Sequence, residues 1–164
     1  MENPTSLAIR SYSWSEMENA CNELANQILA TSSPEIIIGI VRGGCFPALM
    51  LSHRFHIREL YTINVTTTVD DAVRASKSVP VVHSVSGLPS LLARSVLLVD
   101  DVTNSGATLI TAKRAIEQLN PGTLRIACPI WDTVSDSGEM QSTCVADYYV
   151  DKIQAWAKFP WEQS

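Results

Sequence analysis

Residues 96–109, Val96-Leu97-Leu98-Val99-Asp100-Asp101-Val102-Thr103-Asn104-Ser105-Gly106-Ala107-Thr108-Leu109, decide the fold. Four apolar residues run without alternation into two adjacent carboxylates, the pattern of a strand covered on both faces, as in parallel sheets. A stretch of small, hydroxyl-bearing residues with one glycine follows, and then apolar residues recur at helical spacing. Strand, acids, small loop and helix in that order bring two carboxylates and a set of backbone amides to the carboxyl end of a strand. Open α/β sheets bind their ligands there. The helix start adds partial positive charge, Gly106 permits close approach of the backbone, and the hydroxyls of Thr103, Ser105 and Thr108 add donors. A cradle of this kind suits a phosphate, and Asp100 and Asp101 suit vicinal hydroxyls. Read from the residues, the ligand is a phosphorylated sugar.

Working outward, Ser13-Trp14-Ser15-Glu16 is a capping-box pattern. Trp14, Met17, Cys21, Leu24 and Ile28 then recur at helical spacing until Ser32-Ser33-Pro34. Residues 35–41 form a second unalternating β-branched run, closed by Arg42-Gly43-Gly44. Residues 47–55 read as a helix with Pro47 at its start, and 60–65 as a strand. Residues 66–80 are polar and threonine-rich, with Arg74 and Lys77, and read as a mobile functional loop, with 80–84 as its returning strand. After the central strand at 95–99, a helix runs over 105–119 and ends at Asn120-Pro121-Gly122. Residues 123–130 and 145–150 are the last expected strands, and the tail over 151–164 carries Trp156, Phe159, Pro160 and Trp161. The alternation predicts an α/β fold: one domain over 1–164, with a doubly wound, mainly parallel sheet flanked by helices.

Composition narrows the class of function. A chain of 164 residues buries roughly two-thirds of its unfolded surface. Its 46% hydrophobic and 18% charged residues are ordinary for a globular domain. No apolar run approaches the roughly 20 residues of a membrane span, and the polar start is unlike a signal peptide, so no membrane partner and a cytoplasmic location are expected. The four cysteines show no CxxC pair and read as reduced thiols. A net charge of −5 argues against a nucleic-acid partner, which normally meets a basic face. It leaves room for a small anionic substrate, because local amides and a metal ion outweigh a modest global charge.

The segment over 96–109 resembles the signature of the type I phosphoribosyltransferases. The resemblance implies that Asp100 and Asp101 hold the ribose hydroxyls of phosphoribosyl pyrophosphate (PRPP). It assigns the 5-phosphate to Thr103, Asn104, Ser105, Gly106, Ala107 and Thr108. Arg42-Gly43-Gly44 stands where that family places its pyrophosphate loop, which implies a cis peptide at Arg42–Gly43 and an Arg42 guanidinium facing pyrophosphate. The tail is similar to the C-terminal hood of bacterial xanthine-guanine phosphoribosyltransferases, which implies a hood over 131–164 and a base stacked on Trp156. Trp161 reads as a core residue. Arg74 and Lys77 of the 66–80 loop are the candidates for reaching phosphate oxygens. The family also implies Mg²⁺ carried with PRPP near Asp100 and Asp101, a heterocyclic base as second substrate, and a homodimer.

Two positions depart from the family pattern. Asn104 stands where 6-oxopurine members carry an aspartate that handles a ring proton, and an amide does not shuttle protons as a carboxylate does. Those members donate to the purine 6-oxygen from a lysine, and this chain has Asp132 there, or Trp131 if the alignment slips by one. An acid at that place repels a 6-oxo group and suits a ring N–H or an amine. The resemblance therefore implies a transferase of the phosphoribosyl group of PRPP to a purine or purine-like base. A PRPP-binding regulator without chemistry, or a same-fold transferase for a non-purine ring, are the alternatives.

Overall fold

The structure is a computed structural model of the chain and describes residues 8–68, 77–84, 87–134 and 143–162. In chain order the elements are β1 (Ile9–Ser11), α1 (Trp14–Leu29), β2 (Ile36–Val41), α2 (Cys45–Arg54), β3 (Leu60–Thr68), β4 (Lys77–Ser84), β5 (Ser95–Val99), β6 (Val102–Thr103), α3 (Ala107–Glu117), β7 (Thr123–Ala127), β8 (Ile130–Asp132), β9 (Asp151–Ile153) and β10 (Trp156–Lys158), followed by a 3₁₀ turn at Pro160–Glu162. The main sheet has the order β4-β3-β2-β5-β7. Its strands are parallel except β4, which runs antiparallel to β3. There are two smaller parallel sheets: β6-β8-β9, and β1-β10, which pairs the start of the described chain with its tail.

The unalternating runs are explained by burial on both sides. Ile36, Ile38 and Ile40 of β2 and Val96 and Leu98 of β5 pack with Leu109, Ala112 and Ile116 of α3. On the other face, Ile37, Leu97 and Val99 meet Leu24, Ala25 and Ile28 of α1 and Ala48 and Leu51 of α2. Successive strand residues thus feed opposite cores, and neither face tolerates a polar residue. A third cluster of Tyr12, Met17, Ile130, Ala157 and Phe159 fastens the tail to the body.

Helix α1 begins at the expected capping box. The Glu16 amide donates to the Ser13 Oγ at 3.2 Å, and the Ser13 amide donates to the Glu16 carboxylate at 2.8 Å. Ser13→Ala should remove about 1 kcal/mol of stability, measured by urea denaturation. An unchanged midpoint would show the box to be idle.

Several boundaries differ from the expectation. Trp14 is not on the buried face of α1 but 56% exposed, its ring beside Phe46 and Trp161. Helix α2 starts at Cys45, so Pro47 lies within its first turn rather than opening it. Both ends of the polar segment over 66–80 are strand, since β3 continues to Thr68 and β4 starts at Lys77, and the two strands pair antiparallel; residues 69–76 lie outside the described residues. The threonines that end β3 are β-branched and suit the pleated backbone. Arg74 lies outside the described residues. Residues 145–150 form no strand. The Asp147 side chain accepts from the Ile126 amide at 2.8 Å, and Tyr148 makes an isolated bridge with Ala127, so the segment caps the outer edge of β7.

Candidate active site

Strands β2 and β5 are neighbours in the sheet, with Gly39 opposite Val99, so the turns that follow them meet. Asp100 and Asp101 leave the end of β5, and Arg42-Gly43-Gly44 leaves the end of β2. A Cβ on Gly43 would fall 1.7 Å from the Asp101 Oδ2. On Gly44 it would fall 2.6 Å from the Val99 carbonyl oxygen and 2.9 Å from the Asp100 Cα. The two glycines therefore exist to let one turn lie against the other. The cis peptide of this turn is Val41–Arg42, one residue before the expected Arg42–Gly43 bond. The expectation attached the cis bond to the glycine, whereas the glycines answer to the close contact with β5.

Beyond the acids, β6 gives way to the loop over 104–106 and then α3. Gly106 has φ +78°, a left-handed conformation that favours glycine, and no side chain caps α3. The first amides of that helix are left to face a cleft of about 250 Å³. Every residue from Asp100 to Thr108 lines this cleft, joined by Asp132 from β8 and Trp156 from β10. Sequence reasoning missed Glu162, which also lines it. The Glu162 carboxylate accepts from the Phe159 amide at 2.9 Å, which turns the 3₁₀ segment back over the cleft. An acid three residues after a turn-opening residue was the available signal.

The cleft is rich in carboxylates, and their protonation follows from burial. Asp100 is held well above the usual carboxylate range, first by burial and then by the charge of Asp101. Asp101 is pushed up to about 6 by burial. The Val102 amide, which donates to its Oδ1 at 2.8 Å, opposes that rise, and Glu162 adds to it. No lysine, arginine or histidine is among the described residues lining the cleft.

Alternation along β8 separates the two candidates for the base. Asp132 faces the cleft, whereas Trp131 is buried on the opposite side, edge-on to Tyr149 with the Lys152 ammonium 4.5 Å above its ring. Trp131 is thus a packing residue, and the slipped alignment does not hold. Asp132 is joined to the loop: the Asn104 side-chain nitrogen donates to the Asp132 Oδ2 at 3.3 Å and to the Val134 carbonyl oxygen. Trp161 stacks on Phe159 and Phe46, as a packing residue should. Lys77 opens β4, its backbone opposite Thr68.

A mainly parallel sheet with an acid pair and an uncapped helix start at one strand end is an arrangement suited to a sugar phosphate. Residues 12–164 match the family described as phosphoribosyl transferase domain, and the chain belongs to that family. It is 28% identical over 155 residues to a xanthine-guanine phosphoribosyltransferase of Idiomarina loihiensis, covering 92% of this chain and 84% of that protein. The purine phosphoribosyltransferase of Pyrococcus horikoshii superposes with a TM-score of 0.75 at 29% identity, over 96% of each chain. A xanthine-guanine-hypoxanthine phosphoribosyltransferase of Helicobacter pylori gives the same TM-score at 22% identity, over 94% of each, and bears on the fold alone.

Proposed function

We propose that the protein transfers the 5-phosphoribosyl group of PRPP to a ring nitrogen of a purine or purine-like base and releases pyrophosphate. One observation carries the reading. The acid pair ending β5, the uncapped start of α3 and the Trp156 ring all line a single cleft, so sugar, phosphate and flat ring have adjoining places. The bond from C1 of the ribose to pyrophosphate breaks, a bond from C1 to the base nitrogen forms, and the proton of that nitrogen passes to the departing pyrophosphate or to solvent. Asp100 and Asp101 accept hydrogen bonds from the ribose hydroxyls, and the charge of Asp101 favours the cationic sugar that develops as pyrophosphate leaves. Amides over 103–108 hold the 5-phosphate. Arg42-Gly43-Gly44 borders the acids, which supports assigning it the pyrophosphate. Arg74 and Lys77 remain the candidates for covering the site from the β3–β4 segment.

The donor set fits Mg²⁺. That ion is usually held by one or two carboxylates plus substrate phosphates, and Asp100 and Asp101 supply such oxygens beside the proposed pyrophosphate site. When bound it neutralises charge on the leaving group. With four carboxylates lining the cleft, an anionic substrate needs such a counter-charge. A cytoplasmic location fits the four free cysteines. The homodimer implied by family resemblance should appear as twice the 18.0 kDa chain mass in light scattering.

The deciding experiment incubates the protein with PRPP, Mg²⁺ and a panel of purines, pyrimidines and pyridines, and reads liberated pyrophosphate. Release with a purine is expected. Tight PRPP binding with no release from any base would make the protein a regulator instead. Trp156→Ala should raise the KM for the base roughly 5- to 150-fold, the worth of one stacking contact, while the KM for PRPP stays put. An unchanged KM for the base would remove Trp156 from the site.

A further inference from the structure

We propose that Asn104 and Asp132 act as one hydrogen-bonding unit that selects bases presenting a donor, a ring N–H or an exocyclic amine, with Asp132 as the positioning residue. The inference rests on the transferase reading above and adds to it the edge chemistry of the base.

An asparagine side chain offers two N–H donors on nitrogen and an acceptor on oxygen. Here the nitrogen is committed inside the protein, to the Val134 carbonyl oxygen and to the Asp132 carboxylate. A carbonyl oxygen only accepts, so a flipped amide would set oxygen against oxygen at Val134. Hydrogen-bond chemistry therefore fixes the orientation. Asp132 is fixed in turn, because its Oδ1 accepts from the Val134 amide at 3.0 Å. Val134 thus gives its N–H to Asp132 and takes one from Asn104, closing a ring of three residues.

What the ring leaves over on Asn104 is an acceptor. The Asn104 Oδ1 is buried with no hydrogen-bond partner. A buried polar atom in that condition stands out in a folded protein, and because Asn104 itself lines the cleft, a donor on the base is the partner the proposal assigns it. Both residues line the cleft that Trp156 also lines. A base stacked on Trp156 with a bare carbonyl turned to this unit would oppose oxygen to oxygen, whereas an amine or ring N–H would complete it. Sites built around buried hydrogen-bonding groups reject the mismatched analogue by large factors.

The test uses two matched pairs, adenine against hypoxanthine and 2,6-diaminopurine against guanine, which exchange an amine for a carbonyl at one ring carbon. Affinities are measured calorimetrically with Mg²⁺ and ribose 5-phosphate present, a mixture with no leaving group and hence no turnover. The amino member of each pair should bind at least tenfold tighter. Equal affinity, preference for the oxo member, or no binding of any of the four overturns the proposal. Asp132→Asn faces the Asn104 nitrogen with another amide and frees it to turn its donors into the cleft, so the amino-to-oxo ratio should fall at least tenfold. An unmoved ratio in a folded variant overturns the positioning role. If that variant lacks a cooperative thermal transition, Asn104→Ser, which leaves Asp132 on the Val134 amide, must lower the same ratio. Pyrophosphate release from PRPP is assayed separately. No release with any base, beside an intact tenfold binding ratio, removes the transferase reading and leaves the base-edge assignment standing.

Discussion

Asp101→Asn should lower turnover at least tenfold and at the same time raise the melting temperature at pH 7. The activity loss follows from the role of the carboxylate: an amide accepts a ribose hydroxyl through one oxygen only and carries no charge to meet a cationic sugar. The stability gain follows from burial. Asp101 titrates near 6 in the fold against an ordinary 3.8, so between those values the folded protein holds more protons than the unfolded chain. Stability from this group is therefore fully present below about pH 4, falls as pH rises towards 6, and stays low above. The amide escapes that cost. Relative to the parent, the variant should melt a few degrees higher at pH 7, and the gap should close as pH falls towards 4. Calorimetric scans across that range, beside steady-state rates, check both halves. Undiminished turnover would remove Asp101 from the ribose site, and a constant gap would remove the buried-charge argument. Sites that trade stability for function behave this way.

Gly44→Ala should be the more damaging change, with kcat/KM for PRPP reduced at least a hundredfold and stability lowered by about 1–3 kcal/mol. Its new methyl meets the Val99 and Ile40 carbonyl oxygens at 2.6 and 2.7 Å and the Asp100 Cα at 2.9 Å, all of them backbone. Relief requires the ends of β2 and β5 to separate, which pulls the acid pair away from the neighbouring turn. Gly43→Ala makes a useful contrast, because the three atoms nearest its methyl all belong to the Asp101 carboxylate, a side-chain group with a torsion to turn rather than backbone. That variant should lose activity with much less loss of stability. Kinetics and urea denaturation of the pair read the distinction. A Gly44→Ala protein with parental kinetics would separate the two turns functionally.

Local chemistry made much of this architecture legible. The runs in β2 and β5 announced strands buried on both faces because each residue serves one core or the other. Ser13 and Glu16 announced the start of α1 because both halves of the capping box are local. Features that depend on distant residues were harder to read. Trp14 looked like a core residue on helical spacing, yet its ring lies against Trp161 from the far end of the chain. Residues 145–150 looked like a strand, but Asp147 turns its side chain to the Ile126 amide, a contact that depends on β7. In the cleft, the acids and the loop stood out as one continuous stretch, whereas Glu162 reaches it only through the fold of the tail. The choice between Asp132 and Trp131 waited on which face of β8 turned inward.

The pairing of β1 with β10 has a consequence for how the protein is made. Ile9 lies opposite Trp156, so a strand among the first described residues to be synthesised waits for one near the end of the chain. The main sheet is complete at β7, well before Trp156 leaves the ribosome. The part of the molecule proposed to meet the sugar phosphate can thus assemble during synthesis, while the clasp proposed to seat the base closes only at the end. A chain shortened at its tail should keep its central sheet and lose its choosing end, becoming a holder of sugar phosphate with nothing to hand it to.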